Sequence, residues 1–149
     1  MTKRWGPITW FFLHTFSEKI HENAFQKNRI LYLNLLFNLC SNLPCPTCSN
    51  HAKYYLNSNN FKNINSKNEL RIFFWNFHNN VNMRLNKKTQ DRSILKMYFH
   101  GNFQQILSIF QNILLHGGFS LNFINSMEKV KNVKNLISTI YRNKSHFYK

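Results

Sequence analysis

The sequence lacks the features of several protein classes. Its 149 residues include 4 glycines and 3 prolines, too few for a collagen-like or low-complexity chain. The 3 cysteines are few and odd in number, which excludes the disulfide framework of a small secreted domain. Aromatic residues, by contrast, make up 16% of the chain. The composition therefore predicts a globular protein whose length supports a hydrophobic core without cross-links.

Acidic residues are scarce as well. The chain has 20 lysines and arginines against 5 aspartates and glutamates, a formal net charge of +15. Such a field attracts nucleic acids, phosphorylated cofactors or acidic partners, and it does not choose among them. Because the lysines are spread along the chain rather than gathered in an arm, a compositional bias explains the charge equally well.

Long apolar runs are also missing. A long uncharged stretch, residues 101–127, contains several asparagines and glutamines, a histidine and two adjacent glycines, which are costly in hydrocarbon. The apolar run at residues 10–13 is too short for a signal peptide, and no small-residue cleavage site follows it. The sequence therefore predicts a soluble chain that is not exported and has no membrane partner.

Alternation of apolar and polar residues is almost absent, whereas apolar residues recur at spacings of three and four, which predicts an all-α fold. Pro44 ends one helix and Pro46 begins the next, because proline is tolerated only in the first turn. Asparagines and serines at 57–68 predict a loop. We expect helices at residues 7–23, 28–42, from 46 to about 57, 67–87, 92–99, 103–115 and 122–141.

The cysteines cluster within nine positions, and Cys45-Pro46-Thr47-Cys48 forms a C-x-x-C motif. If Pro46 is the first helical residue, Cys45 lies at the N-cap and Cys48 one turn later, so that both sulfurs share a face. The unpaired N–H groups of a helix start stabilise a thiolate there. Three interpretations stay open: a redox-active disulfide, part of a zinc site, or two buried thiols.

A zinc site would take its ligands from Cys40, Cys45, Cys48 and His51. This spacing is unfavourable, because Cys40 belongs to the preceding helix and a proline-restrained helix start replaces the usual knuckle loop. A structural thiol is the favoured interpretation of Cys40. A thioredoxin-like site is excluded, because no strand precedes Cys45.

The fourth predicted helix carries a polar and aromatic edge, with Trp75, His78 and Asn82 at positions i, i+3 and i+7. Their rings and amides suit a flat heteroaromatic ligand. Three cations just beyond the edge could meet phosphate groups, namely Arg84, Lys87 and Lys88. The alternative is an ordinary solvated helix edge.

Three motifs occur in order along the chain. Residues 5–14 read W-G-P-I-T-W-F-F-L-H, Cys45 and Cys48 are followed by His51, and residues 78–85 read H-N-N-V-N-M-R-L. Together they resemble the Erv/ALR family of FAD-linked sulfhydryl oxidases over residues 5–99. The resemblance implies a four-helix bundle with a short fifth helix, noncovalent FAD and usually a homodimer. We expect residues 1–100 to form this FAD-binding bundle and 101–149 a C-terminal helical extension packed on or beside it.

The resemblance also implies the site residues. From the first helix, FAD would be contacted by Gly6, Thr9, Trp10 and His14, and from the third by Cys48, His51 and Tyr55. The adenine and ribose would be enclosed by Trp75, His78, Asn79, Val81, Asn82 and Leu85, with Lys87 or Lys88 near the phosphates.

The implied reaction is a two-electron relay with Cys45 and Cys48 as catalytic residues. A thiolate of a substrate protein attacks the disulfide at Cys45, and Cys48 passes electrons through FAD to O₂, giving hydrogen peroxide. Because neither terminus carries a further cysteine pair, substrate thiols reach Cys45 directly or through a thioredoxin-like partner.

The chain also resembles the compact oxidases of large cytoplasmic DNA viruses, which implies a location in the host cytoplasm or the virion. Two alternatives from other classes are a basic helical module that binds nucleic acid and a Cys₃His zinc structural domain. The oxidase interpretation expects neither a metal nor a nucleic acid.

Overall fold

The computed structural model, which describes residues 4–116 and 123–149, consists of α-helices joined by short turns. Within these ranges the helices are α1 Trp5–Lys19, α2 Glu22–Lys27, α3 Arg29–Cys40, α4 Pro46–Ser58, α5 Lys67–Arg84, α6 Leu95–Phe99, α7 Phe103–His116 and α8 Phe123–Arg142. Short 3₁₀ turns lie at Phe61–Asn63, Arg92–Ile94 and Lys144–His146. The described chain has no β-strand, and the predicted all-α fold is confirmed. None of the helices in these ranges is long and apolar enough to cross a membrane.

Helix α1 lies at the centre of the fold. Every residue from Phe12 to Ile20 is buried, and α5, α6 and α7 pack around it. A helix buried on all sides must satisfy its polar side chains internally. The Ser17 hydroxyl donates to the Leu13 carbonyl at 2.9 Å, and the Glu18 carboxylate pairs with the Arg71 guanidinium of α5.

The C-terminal helices contribute to the same hydrophobic core as the first half of the chain. Helix α7 packs on α1, and α8 packs on α3 and α7. The rings of Phe12 and Phe110 stack with their centroids 4.4 Å apart, and Leu136 and Ile140 of α8 are buried. The boundary at residue 100 between a bundle and an extension stays a prediction.

The break between α1 and α2 corrects the prediction of one helix over residues 7–23. Ile20 and His21 have extended backbones, with ψ angles of 136° and 141°. The His21 N–H donates to the His146 carbonyl at 2.8 Å, and the Tyr148 N–H donates to the Lys19 carbonyl at 2.7 Å. The predicted helix is wrong because the C-terminal residues supply hydrogen bonds that replace those of a continued helix.

Helices α4 and α5 begin at the predicted residues, 46 and 67. Pro46 is the first residue of α4. The Ser66 hydroxyl accepts a hydrogen bond from the Glu69 N–H at 3.1 Å, and the Glu69 carboxylate accepts one from the Asn65 N–H. This reciprocal capping satisfies donors that a helix start leaves free.

Helix α5 ends three residues before the predicted position 87, because Asn86 adopts a left-handed conformation with φ 57°. The Asn86 N–H donates to the Met83 carbonyl at 3.1 Å, and the Lys87 N–H donates to the Asn82 carbonyl at 2.7 Å. This arrangement ends many helices. The predicted start of the last helix, at residue 122, lies outside the described residues, as do the glycines at 117 and 118.

Phe147 anchors the C-terminal residues in the core. It is 8% exposed and its ring contacts those of Phe16, Tyr32 and Phe103, with centroids 5.2, 6.0 and 5.1 Å away. The Tyr32 hydroxyl also lies 2.8 Å from His146 Nδ1. These contacts hold the segment that interrupts the first predicted helix.

We expect Phe147→Ala to lower the free energy of unfolding by about 3 kcal/mol, because it leaves a cavity in a packed core. Urea unfolding at constant m-value measures this change. The neighbouring Tyr148 is 46% exposed, so Tyr148→Ala should cost about 1 kcal/mol or less. Equal small losses for both variants would contradict the docking of this segment.

Candidate functional site

Cys45 and Cys48 form a disulfide at the start of α4, with their Cα atoms 5.2 Å apart. Cys45 is the N-cap residue, and the Cys48 N–H donates to its Sγ at 3.2 Å. Cys48 packs against the hydrophobic core, whereas Pro46 and Thr47 are exposed. Both cysteines are half-buried. Cys48 lies on the side of the core, and Cys45 lies at the helix start, where N–H groups stabilise a thiolate.

The third cysteine does not complete a zinc site. Cys40 is buried at the end of α3, and burial raises the pKa of its thiol to about 12, so that it stays protonated at pH 7. Cys45 and Cys48 are bonded to each other, and no group of three metal-binding side chains occurs in the part of the chain that the structure describes. The Cys₃His alternative is therefore not formed.

A stack of aromatic rings joins α1, α5 and α6. The rings of Trp10 and His78 are 4.0 Å apart and parallel within 6°. His14 Nε2 lies 2.9 Å from His78 Nδ1, and the ring of Tyr98 stacks on His14 at 4.5 Å. We call these four side chains the ring stack. The structure thus brings together the first and third of the sequence motifs.

Both histidines of the ring stack are neutral at pH 7. Burial, and then the neighbouring His78, lowers the pKa of His14 to about 3. Burial, and then the charge of Lys87, lowers the pKa of His78 to about 4. His14 Nδ1 is buried with no hydrogen-bond partner among the described residues. A buried polar atom of this kind is normally satisfied, and so it marks a place for a ligand group or a water.

Two side chains of α4 link the disulfide helix to the ring stack. Tyr55 stacks on Phe77 of α5 at 4.9 Å, and Phe77 meets the edge of Trp10 at 5.1 Å. His51 Nε2 lies 3.1 Å from Asn80 Oδ1. The second motif is therefore in direct contact with the helix that carries the third.

Trp75 and Asn79 bind the chain that follows α5. The Trp75 Nε1–H and the Asn79 Nδ2–H both donate to the Gln90 carbonyl, at 3.0 and 2.9 Å, and the Gln90 N–H donates to Asn79 Oδ1 at 2.9 Å. The Arg92 guanidinium lies 5.3 Å from the centroid of the Trp75 ring. The main polar groups of these two side chains are thus engaged by the protein itself.

We call residues 85–91 the basic loop, because it contains Lys87 and Lys88 and joins α5 to the 3₁₀ turn at Arg92–Ile94. All of its residues are exposed. The charge of Lys87 nevertheless reaches the ring stack, since it contributes to the lowered pKa of His78. Both lysines are free to meet an anionic ligand.

Gly6 and Thr9 lie in the first two turns of α1. A methyl group at Gly6 would meet no atom within 4 Å, so that open space adjoins the start of this helix. Thr9 is buried, and its hydroxyl donates to the Trp5 carbonyl at 2.6 Å. The Thr9 hydroxyl is therefore engaged within the helix.

The remaining predicted residues lie on the last turn of α5 and directly after it. Val81 packs against the core as a partly buried side chain, Asn82 is buried, and Leu85 is half exposed. Sequence reasoning missed Phe77, Asn80 and Tyr98 as site residues. The ring of Phe77 contacts those of Trp10 and Tyr55, and the ring of Tyr98 contacts that of His14. These contacts join different helices, so the sequence alone could not reveal them.

The chain is similar in sequence to a known protein family and to proteins of large DNA viruses. The model of the Erv1 / Alr family matches residues 7–105. The FAD-linked sulfhydryl oxidase of African swine fever virus (isolate Tick/Malawi/Lil 20-1/1983) is 34% identical over 84 residues, which cover 56% of this chain and 70% of the relative. The FAD-linked sulfhydryl oxidase of isolate Pig/Kenya/KEN-50/1950 is 32% identical over 106 residues, 65% of this chain and 88% of the relative. No solved structure matches the chain.

The neutral histidines make stability depend on pH. Their folded pKa values lie below the ordinary value of 6.5, so the unfolded chain binds protons first as the pH falls. The stability that the two neutral histidines contribute is therefore fully present above pH 6.5 and is lost as the pH falls towards 3. From pH 7 to 5 we expect a loss of about 2–4 kcal/mol in the free energy of unfolding, measured by urea unfolding of the FAD-free protein.

In His78→Gln this pH-dependent loss should fall by about half, because one of the two shifted groups is gone. His100 is exposed, so that His100→Gln is the matched control and should keep the full loss. An undiminished loss in His78→Gln would show that the ring stack is not its source.

Proposed function

Because the chain belongs to the Erv1 / Alr family, we propose that it is an FAD-linked sulfhydryl oxidase that forms disulfide bonds in protein substrates. The observation that carries this function is the Cys45–Cys48 disulfide at the start of α4, on a helix in direct contact with the one that bears His78. The overall reaction converts two thiols and O₂ into a disulfide and hydrogen peroxide.

The residues around the ring stack fit FAD. Flat rings are present for a flat cofactor, His14 Nδ1 offers a free polar atom, and the open space at Gly6 accepts a ligand close to the backbone. We assign cofactor contact to Gly6, Thr9, Trp10, His14, Cys48, His51, Tyr55, His78, Val81, Asn82, Leu85, Lys87 and Lys88, and a supporting role in cofactor binding to Trp75 and Asn79, whose polar groups bind Gln90. When bound, FAD accepts two electrons from the reduced cysteine pair and transfers them to O₂.

The cysteines exchange disulfides with the substrate. A substrate thiolate attacks Cys45 Sγ, the Cys45–Cys48 bond breaks, and Cys48 leaves as a thiolate next to the core. A second substrate thiolate then attacks the substrate sulfur of the mixed disulfide and releases Cys45. The substrate has lost two electrons, and the cysteine pair holds them. The helix start favours both thiolates, and the Cys48 N–H stabilises the charge on Cys45.

The finer properties that the family resemblance implies stay predictions. These are a homodimer, a thioredoxin-like redox partner, and a location in the host cytoplasm or the virion. Sedimentation of the FAD-loaded protein tests the first, because the chain has a mass of 18.0 kDa and a dimer has twice that value. No comparison supports the nucleic-acid-binding alternative.

We expect Cys45→Ser to abolish thiol oxidation while FAD stays bound, because the substrate then has no disulfide to attack. Oxygen uptake and peroxide formation with dithiothreitol measure activity, and the visible flavin band measures bound FAD. Cys40→Ala is the matched control, because a protonated buried thiol takes no part in the exchange, and it should retain turnover. Full turnover in Cys45→Ser would refute the relay.

Gly6→Ala tests the cofactor space directly. The FAD-free variant should be at least as stable as the wild type, because alanine favours a helix over glycine by up to about 1 kcal/mol and its methyl group meets no atom. FAD affinity should fall about tenfold, because the methyl group enters the space that the cofactor needs. Pro7→Ala, at an exposed neighbouring position, is the control for the affinity readout and should leave FAD affinity unchanged. An unchanged FAD affinity would place the cofactor elsewhere.

A further inference from the structure

We propose that Trp75 and Asn79 are positioning residues, which hold the basic loop where Lys87 and Lys88 meet the diphosphate of FAD. They thereby favour FAD over a flavin that lacks the diphosphate. This inference rests on the proposed function and concerns two residues that the family resemblance assigns to direct cofactor contact.

The hydrogen bonds of both side chains are directed at one residue of the loop. The indole of Trp75 has a single donor, and the Gln90 carbonyl accepts it at 3.0 Å. Asn79 uses its oxygen and its nitrogen together on the main chain of Gln90, each at 2.9 Å. While these bonds exist, Trp75 has no hydrogen bond to give to a ligand, and Asn79 has only part of its capacity left.

The other hydrogen bonds at the far end of the basic loop, from the Ser93 and Ile94 N–H groups to Asp91, join it to the following 3₁₀ turn and not to α5. The residues of the loop are all exposed, so that no buried side chain anchors it, and such segments open easily. The hydrogen bond from the Lys87 N–H to the Asn82 carbonyl fixes the beginning of the loop. Over the described residues, the three bonds to Gln90 are what tie its far end to α5.

The position of the basic loop determines where its positive charges lie. Between positions 84 and 92 the sequence has one acidic residue, Asp91, and four basic residues, which are Arg84, Lys87, Lys88 and Arg92. The Arg92 guanidinium also lies against the Trp75 ring, a favourable cation–π arrangement. A diphosphate gains charge-assisted contacts only from cations that are held in place. A flavin without phosphates gains nothing from them.

The test measures binding to FAD-free protein by quenching of flavin fluorescence, with FAD and riboflavin as ligands and ADP as a competitor. For Asn79→Ala we expect the dissociation constants of FAD and ADP to rise about tenfold, and that of riboflavin to stay unchanged. The salt dependence of FAD binding should weaken in the same variant. Trp75→Phe removes the indole N–H and shortens the ring system while keeping an aromatic side chain, and it should produce a smaller rise, about threefold.

Gln90→Ala is the matched control, because it keeps the main-chain groups that Trp75 and Asn79 bind, and it should leave all three affinities unchanged. Lys87 and Lys88 are exposed, so the double variant Lys87→Gln, Lys88→Gln should fold like the wild type and keep the hydrogen bonds of Trp75 and Asn79 to Gln90. Adding Asn79→Ala to this double variant should lower FAD affinity by less than a further twofold. Asn79 acts by holding the two lysines in place, and these are absent from the double variant.

The outcomes separate the two proposals. If the wild type binds no FAD, the proposed function fails. If it binds FAD and Asn79→Ala binds FAD as tightly, only the positioning role fails. Equal losses for FAD and riboflavin in Asn79→Ala, or losses that multiply with those of the lysine variants, would show that Asn79 contacts the cofactor directly and would overturn the inference.

Discussion

Helix α1 has no solvent-facing side between Phe12 and Ile20, and the other helices are arranged around that constraint. Its polar side chains need partners inside the protein, and α5 supplies two of them. Glu18 pairs with Arg71, and His14 meets His78. Removing one member of such a buried pair is costly, so that these contacts fix the antiparallel register of α1 and α5. The same register places Trp10 on His78.

The charges of the candidate site lie at two separate places on either side of the neutral ring stack. The start of α4 stabilises negative charge on sulfur, and the basic loop presents cations to an anionic ligand. Between them, the pKa values of His14 and His78 are low enough to keep both rings uncharged at pH 7. The flat rings of the site therefore offer stacking surfaces, while phosphate and thiolate charges are met elsewhere.

Most of the helices follow from local sequence, because a spacing of three and four residues is itself the geometry of a helix. Pro46 and Ser66 fix two helix starts for the same local reason. The break after Lys19 could not be predicted, because its cause is the pairing of Ile20 with Phe147 at the far end of the chain. The motifs led to Trp10, His14 and His78. The motifs did not reveal the hydrogen bonds between Asn79 and Gln90. Asn79 binds the main chain of residue 90, so these bonds do not require a particular side chain there.

The docking of residues 146–148 against the end of α1 has a consequence for synthesis of the protein. A ribosome makes these residues after every residue of the ring stack, the disulfide and the basic loop. Until they emerge, the part of α1 that they cover, including Phe16, faces water, and long-range contacts of this kind form late and slowly. The nascent chain therefore exposes this apolar surface until residues 146–148 have been made and Phe147 packs on Phe16.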